Sequence, residues 1–526
     1  MMRVCPAVGQ SVKAHILGPA LALSASSLVQ DLALDSLLDL LQQMVVSGAV
    51  EHKELLRALN GRLEDKVGRH GIYALAQCIA RATSSGTVDD AKAVLVDVVS
   101  TLDSLETPSD DALLRKVQAS LLIPGDVGRT TDLSSLDGLA DRLKSIYLSY
   151  FESPSDDLKQ AAAYSLGNAA VGSQAAFLPL IVGKLDEDNK KQQYLLLSAL
   201  REFVQSSSRL SGGESIAASL SVILPQLSKH CGDAEESVRS MVAECMGSLA
   251  AARADAVLAQ LVEIQKTHDA IDAPGGIVAE GDVTSETNAR VCWTVATAIK
   301  IGISGKMDQH VLLSHMPTFV QLVKKEELHV RQAALMMVCS AVHHMPQVVS
   351  SLFKDTISPT LLEVSTLKMQ RTVDLGPFKH KVDDALPLRK AGLSVYTACL
   401  EKMPTAIEIS EFMPVLAAAL ADVEDIQLQA HQLLMSMCTR YPIHVISSID
   451  SFVDPLEKTA NKKAGQKTGT ELDRLNDWIK SALRVMVAIG KIDGARNSRK
   501  FVDFEERVKG NSKFATILES IGDERH

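Results

Sequence analysis

Ser153-Pro-Ser-Asp-Asp-Leu-Lys-Gln-Ala-Ala-Ala-Tyr-Ser-Leu-Gly167 carries the pattern that the rest of the chain repeats. Small and acidic residues come first, then an aliphatic residue, then a basic one, then small side chains. Asp156 and Asp157 suit the first turn of a helix, where the macrodipole favours negative charge. Pro154 suits its opening, and Ala161 and Ala162 let a neighbouring helix approach closely. The same grammar recurs at Leu114-Arg115, Leu158-Lys159, Val238-Arg239, Val330-Arg331, Leu388-Arg389 and Ile426-Gln427, with weaker copies at Ala289-Arg290 and Ile479-Lys480. Glu235, Glu236, Glu326 and Glu327 stand where Asp156 and Asp157 do. The spacing is roughly 40 to 50 residues, doubled where a copy is degenerate, which is the HEAT/armadillo period. Each copy reads as the start of the second helix of a pair, with Arg or Lys along the seam to the adjacent repeat. The predicted fold is all-α, a HEAT/armadillo-type helical repeat solenoid of about ten or eleven repeats.

The step from Arg331 to Arg389 is longer than the others. The excess is Leu367-Lys-Met-Gln-Arg-Thr-Val-Asp-Leu-Gly-Pro-Phe-Lys-His-Lys-Val-Asp383, whose apolar and polar residues alternate with period two. Leu367, Met369, Val373 and Leu375 point one way; Lys368, Gln370, Thr372 and Asp374 point the other. Gly376-Pro377 suits a type II′ turn, and Phe378, His380 and Val382 alternate on the return. This predicts one inserted β-hairpin. A two-stranded hairpin is marginal alone in water, so it needs a surface, either its own solenoid or another protein. Phe378 beside Lys379, His380 and Lys381 offers an apolar anchor with a basic rim, which favours a partner.

Composition narrows the function classes. With 54 basic and 64 acidic residues the net charge is −10, which argues against a general nucleic-acid footprint. Aromatics at 4% are few for a sandwich or barrel, and 46% hydrophobic residues allow a continuous core. The eight cysteines are scattered without a C-x-x-C pair, as reduced thiols of a cytoplasmic and nuclear protein would be. No apolar run is long enough to span a membrane. Arg3 and Lys13 around Ile16 to Leu23 have a faint signal-peptide shape, but Gly18-Pro19 interrupts it. The preferred reading of residues 1–34 is an N-terminal extension or a first, frayed helix.

No pattern supports an enzyme or a cofactor. Gly302-Ile-Ser-Gly-Lys306 fails as a Walker loop because Lys300 and Met307 occupy its key flanks. The basic loop at 461–470 lacks that spacing too. His343-His344 and His310/His315 are not spaced to share a helical face with a third metal ligand. Paired acids at helix starts recur once per repeat, as dipole stabilisation predicts and catalysis does not. The layout is then HEAT repeats over 35–266, a Gly-rich loop over 267–283, repeats over 284–366, the projecting hairpin over 367–383 and C-terminal repeats over 384–526. A loop is expected at 123–134, after a helix over 108–122.

Leu375-Gly-Pro-Phe-Lys-His-Lys-Val-Asp-Asp-Ala-Leu-Pro-Leu-Arg-Lys-Ala391 resembles the signature of the cullin-associated, neddylation-dissociated proteins, the Cand family, also described as TATA-binding-protein-interacting. Ser153 to Gly167, Gln192 to Leu197, Lys229 to Arg239 and Val242 to Gly247 match in the same order. The resemblance runs from about Ser36 to the C-terminus and corresponds to the C-terminal half of the family's usual chain. It implies a protein that binds un-neddylated cullin and regulates cullin–RING ubiquitin ligases by competing with the substrate-receptor adaptor. It implies that the C-terminal repeats grip the cullin's N-terminal region, while Met369, Gln370, Arg371, Thr372, Val373, Asp374, Leu375, Gly376, Pro377, Phe378, Lys379, His380 and Lys381 take the adaptor's place. A separate N-terminal Cand half is a further implied partner. The residues alone also admit a HEAT-type scaffold or a karyopherin-like transport protein.

Overall fold

The computed structural model describes the chain except residues 1–5, 66, 105–109, 188, 212–213, 273–284, 376–377, 464, 466–467 and 524–526. It describes only the backbone at 6–8, 104, 211, 215, 269–272, 374–375, 378–380 and 522–523. Among the described residues, regular structure consists of helices and one two-stranded sheet. The helices alternate as ten pairs, from His52–Gly61 with Arg69–Ser84 to Pro442–Ala460 with Thr470–Ile489. Asp31–Val46 precedes them and Arg499–Lys509 follows. The chain therefore builds the solenoid that the repeat period predicts.

Two compact units divide it, Met1–Gln260 and Leu261–His526. In the first, the second helices of the pairs lie side by side in chain order: Arg69–Ser84, Asp111–Gly128, Asp156–Gly172, Lys190–Ser211 and Glu236–Ala252. In the other, Ser285–Ser304, Leu328–His344, Leu386–Lys402, Glu424–Arg440 and Thr470–Ile489 do the same. Small residues make the approach close. Ala161, Ala162, Ala169 and Ala170 are fully buried along Asp156–Gly172, as is Leu166. A Cβ on Gly125 would stand 2.5 Å from the Ser165 Cα. Each fully buried Leu or Phe contributes on the order of 1.5–3 kcal/mol, and within each unit the core runs from one of these helices to the next.

Several local expectations shift. Asp111–Gly128 continues through Pro124 to Gly128, where a loop was expected from residue 123. Proline removes a backbone bond from a helix interior. Here every residue from Val117 to Gly128 is buried, and that packing outweighs the loss. Pro154 stands ahead of the N-cap Ser155, so Asp156 and not the proline opens the helix. Glu235 and Glu327 are N-cap residues without side-chain cap bonds. Ala254–Asp272 carries helix into the segment expected as a Gly-rich loop, and residues 273–283 lie outside the described residues. Pro6–His15 and Leu17–Ser24 are helical.

Seam pairing by the repeat's basic residue holds at Arg331 and Arg389 and fails at Lys159, Arg239 and Arg290, the last bonding Glu286 of its own helix. Arg331 reaches Glu363 of the next pair at 3.1 Å, and Arg389 reaches Asp422. Lys159 instead bonds Asp156 of its own helix, and Arg239 donates to the carbonyls of Asp233 and Ala234.

Candidate partner-binding hairpin

The sheet interrupts the eighth pair, between the helices Ser358–Val364 and Leu386–Lys402. Strands β1 (Gln370–Leu375) and β2 (Phe378–Asp383) run antiparallel, pairing Gln370 with Asp383, Arg371 with Val382, Thr372 with Lys381, Val373 with His380, Asp374 with Lys379 and Leu375 with Phe378. That register leaves two residues to connect the strands. They are Gly376 and Pro377, so the expected turn type lies outside the described residues. The side chains of Asp374, Leu375, Phe378, Lys379 and His380 lie outside them too, and with them the anchor role given to Phe378.

Most of the described hairpin side chains face solvent. Met369 is 47% exposed and Val382 is 37% exposed; Gln370, Arg371, Thr372 and Lys381 are exposed and Val373 is half-buried. Met369, just ahead of β1, and Val382 fall on one face of the ribbon by its register. Arg371 interrupts that face opposite Val382, and it is held at 2.6 Å by Asp384.

The root is built differently from the ribbon. Arg389, in the first turn of Leu386–Lys402, is 0% exposed. It donates through Nη1 to the Leu367 carbonyl at 2.6 Å and stands 2.9 Å from Asp383 Oδ2 through Nη2. It also donates to Asp422 Oδ1 at 3.2 Å, and its Nε lies 3.1 Å from Asp422 Oδ2. Asp383 Oδ1 accepts from the N–H of Met369 at 3.0 Å and of Ala385 at 3.2 Å. Lys368 Nζ adds 3.5 Å to Asp422. One buried guanidinium thus joins the entering strand, the leaving strand and the next repeat. Partial burial pushes the Asp383 carboxyl up, but the bonds from Arg389, Met369 and Ala385 outweigh it and hold it below the ordinary carboxylate range. The sequence reading placed Arg389 on the repeat seam and missed its hold on the hairpin. The available signal was Asp383-Asp384 standing just ahead of that arginine.

A second polar cluster was not foreseen at all. It lines a cavity of about 840 Å³ in the first unit. Asp126 Oδ1 accepts from the Tyr164 hydroxyl at 2.9 Å and meets Arg129 at 3.1 Å. Arg129 also bonds the Tyr164 hydroxyl and Asn168 Oδ1 at 2.9 Å, to which Ser206 donates at 2.7 Å. Asp126 Oδ2 is buried with no partner. Burial pushes this carboxyl up to about 6 against the pull of Arg129 and Tyr164. Asp126 escaped the sequence reading because it sits in the segment read as a loop.

Among the described residues no helix is long and apolar enough to cross a membrane, and no group of three His, Cys, Asp or Glu could hold a metal ion.

Residues 333–509 match the family model described as TATA-binding protein interacting, which covers the hairpin and its root, and residues 223–252 match the HEAT repeat. A relative from Arabidopsis thaliana, named cullin-associated NEDD8-dissociated protein 1, is 31% identical over 97% of this chain and 41% of its own length. One from Emericella nidulans, named cullin-associated NEDD8-dissociated protein 1, C-terminal part, is 26% identical over 72% of this chain and 35% of its own. The chain spans about two fifths of the length of the first relatives it matches. A solved structure of Kap95p with RanGDP superposes with a TM-score of 0.56 at 13% identity, over 97% of this chain and 61% of that one. At that identity the likeness speaks for the fold alone. The match along nearly the whole chain, with the family signature on the hairpin and its root, places this protein in the family of cullin-associated NEDD8-dissociated proteins.

Proposed function

We propose that this chain is a non-enzymatic, cullin-associated protein acting in the cytoplasm and nucleus, and that it regulates the assembly of cullin–RING ubiquitin ligases. In this reading the C-terminal repeats hold the N-terminal region of an un-neddylated cullin. Met369 to Lys381 occupy the place where the substrate-receptor adaptor docks, so that chain and adaptor exclude each other at one site while the solenoid keeps its grip elsewhere. The observation that carries the reading is the hairpin itself. Its apolar Met369 and Val382 stand in solvent on a root tied down by a fully buried arginine. The relatives' names supply the cullin, and the name of the Emericella nidulans relative supports a companion N-terminal half.

The test is to delete Lys368 to Lys381, close the gap with a short Gly linker, and follow adaptor release from a preformed cullin complex in real time. The deletion is expected to retain cullin binding and lose displacement. Release at the wild-type rate would overturn the competitive role. The companion half is tested by titrating the family's N-terminal repeats into this chain with full-length cullin. Linked contacts gain from effective concentration, so binding is expected to tighten, and an unchanged affinity would count against a split pair.

A further inference from the structure

We infer that Arg389 is the positioning residue of the hairpin, making the ribbon's pose a property of the seam between two repeats. The inference rests on the competitive reading above for its consequence, but not for its geometry. The ribbon joins the solenoid at only two chain crossings, Leu367–Met369 and Asp383–Ala385. A two-stranded ribbon has little stability to hold its own direction. The Leu367 carbonyl and the Asp383 carboxylate, one on each crossing, both bond Arg389. The Nη2 that meets Asp383 also donates to Asp422 Oδ1, and Nε stands 3.1 Å from Asp422 Oδ2 as an ion-pair contact without a hydrogen bond. Asp422 lies in the turn between the helices Ile409–Leu420 and Glu424–Arg440 of the following repeat. Asp422 is itself held, its Oδ1 accepting from the Val423 N–H at 2.7 Å. Its side chain is 5% exposed and that of Arg389 is 0% exposed.

A planar fork with several donors is suited to this task, because it fixes direction as well as distance. Lysine would offer a point charge that cannot span three acceptors on three segments. The consequence is a division of labour. Met369 and Val382 present apolar surface to the partner, and Arg389 touches no partner but sets where that surface points. A partner that opened the seam at Asp422 would release the ribbon, and one that pressed it closed would stiffen it.

The experiment uses the full chain with spin labels on Lys381→Cys, exposed on β2, and Ile443→Cys, exposed on the helix Pro442–Ala460. Cys5 and Cys339 are replaced by Ser. Pulsed electron resonance then reads the distance distribution between the two labels. The wild-type background is expected to give one narrow distribution, and Arg389→Met and Asp422→Asn broad ones, with Arg389→Lys between. Asp422→Asn keeps the shape of the seam and lies outside the hairpin, so it carries the test if Arg389→Met does not fold. Distributions as narrow as wild type in the folded variants would overturn the inference. In the second arm, adaptor release is expected to slow by roughly 10- to 100-fold, about the value of one charged hydrogen bond, while cullin affinity stays within about threefold. Broad distributions with unchanged release would overturn the functional half. If the unmutated chain neither binds cullin nor releases adaptor, the competitive reading fails, and the distance distributions still decide the role of Arg389.

Discussion

Two arginine–aspartate clusters among the described residues shift their carboxyls in opposite directions. Asp126 in the first unit and Asp383 in the second each meet a guanidinium at about 3 Å. Asp383 has both oxygens filled, one by Arg389 and the other by two backbone N–H groups, and its carboxyl lies low. Asp126 has one oxygen filled and the other buried without a partner, and its carboxyl rises to about 6. The cation is common to both, so it does not set the sign. What differs is the number of donors offered to the charged form against the cost of burying it. One cluster is arranged to keep a charge at the root of the hairpin. The other tolerates a proton in the wall of a cavity.

The largest effect is expected at the hairpin root. Arg389→Met takes the guanidinium from Asp383 and leaves Asp422 with Lys368, 3.5 Å away, as its cation, and breaking a buried ion pair from one side costs on the order of 3–5 kcal/mol. Chemical denaturation of the full chain, followed in the second unit, checks this. A loss below about 1 kcal/mol would mean that water replaces the guanidinium and that the root is wetter than its burial implies.

Next comes pH dependence in the first unit. Between the unfolded carboxyl near 3.8 and the folded one at about 6, the folded state holds the proton that the unfolded state has lost. Stability therefore falls as pH rises through that window, by about 3 kcal/mol in all at 1.36 kcal/mol per unit. Asp126→Asn should remove that slope and be neutral or stabilising at pH 7. Midpoints of the first unit measured from pH 4 to 7.5 decide it. A wild-type slope retained by the variant would assign the effect to another group.

Asp383 gives the smaller effect and the opposite sign. Its folded carboxyl is depressed, so its contribution is present above the unfolded value and lost as pH falls through the folded one. Asp383→Asn should cost about 1–2 kcal/mol at pH 7 and nothing once acid has protonated the native carboxyl. Equal costs at pH 7 and in acid that protonates the native carboxyl would show that shape and not charge holds the root. The smallest stability effect is expected at Met369→Lys on the exposed ribbon, within about 0.5 kcal/mol, with cullin binding measured alongside. A substantial drop in the denaturation midpoint would mean that the ribbon packs on its own solenoid.

The repeats were legible because their evidence is local. Leu158-Lys159 followed by Ala161 and Ala162 announces a helix that another helix must approach, and each copy says so again. The hairpin was legible for the same reason: a change of period from helical to two within seventeen residues needs no knowledge of what lies elsewhere. The continuation of Asp111–Gly128 through Pro124 was not legible, since local propensity argues for a stop and only packing on both sides overrides it. Nor was the Asp126 cluster, whose members Tyr164, Asn168 and Ser206 come from two further helices.

From its sequence alone this protein was expected to be a stack of helical pairs with one inserted ribbon, because amphipathic period and turn residues act over a few positions. Which carboxylate stays charged, which arginine crosses to the next repeat, and how the ribbon is seated were decided only in three dimensions. Arg331, Lys159 and Arg389 occupy the same place in the repeat, yet one reaches Glu363, one stays within its own helix, and one gathers Leu367, Asp383 and Asp422. A side chain's partners depend on what the fold brings within about 3 Å of it and how much water is left there, and neither quantity is written in the spacing of residues along the chain.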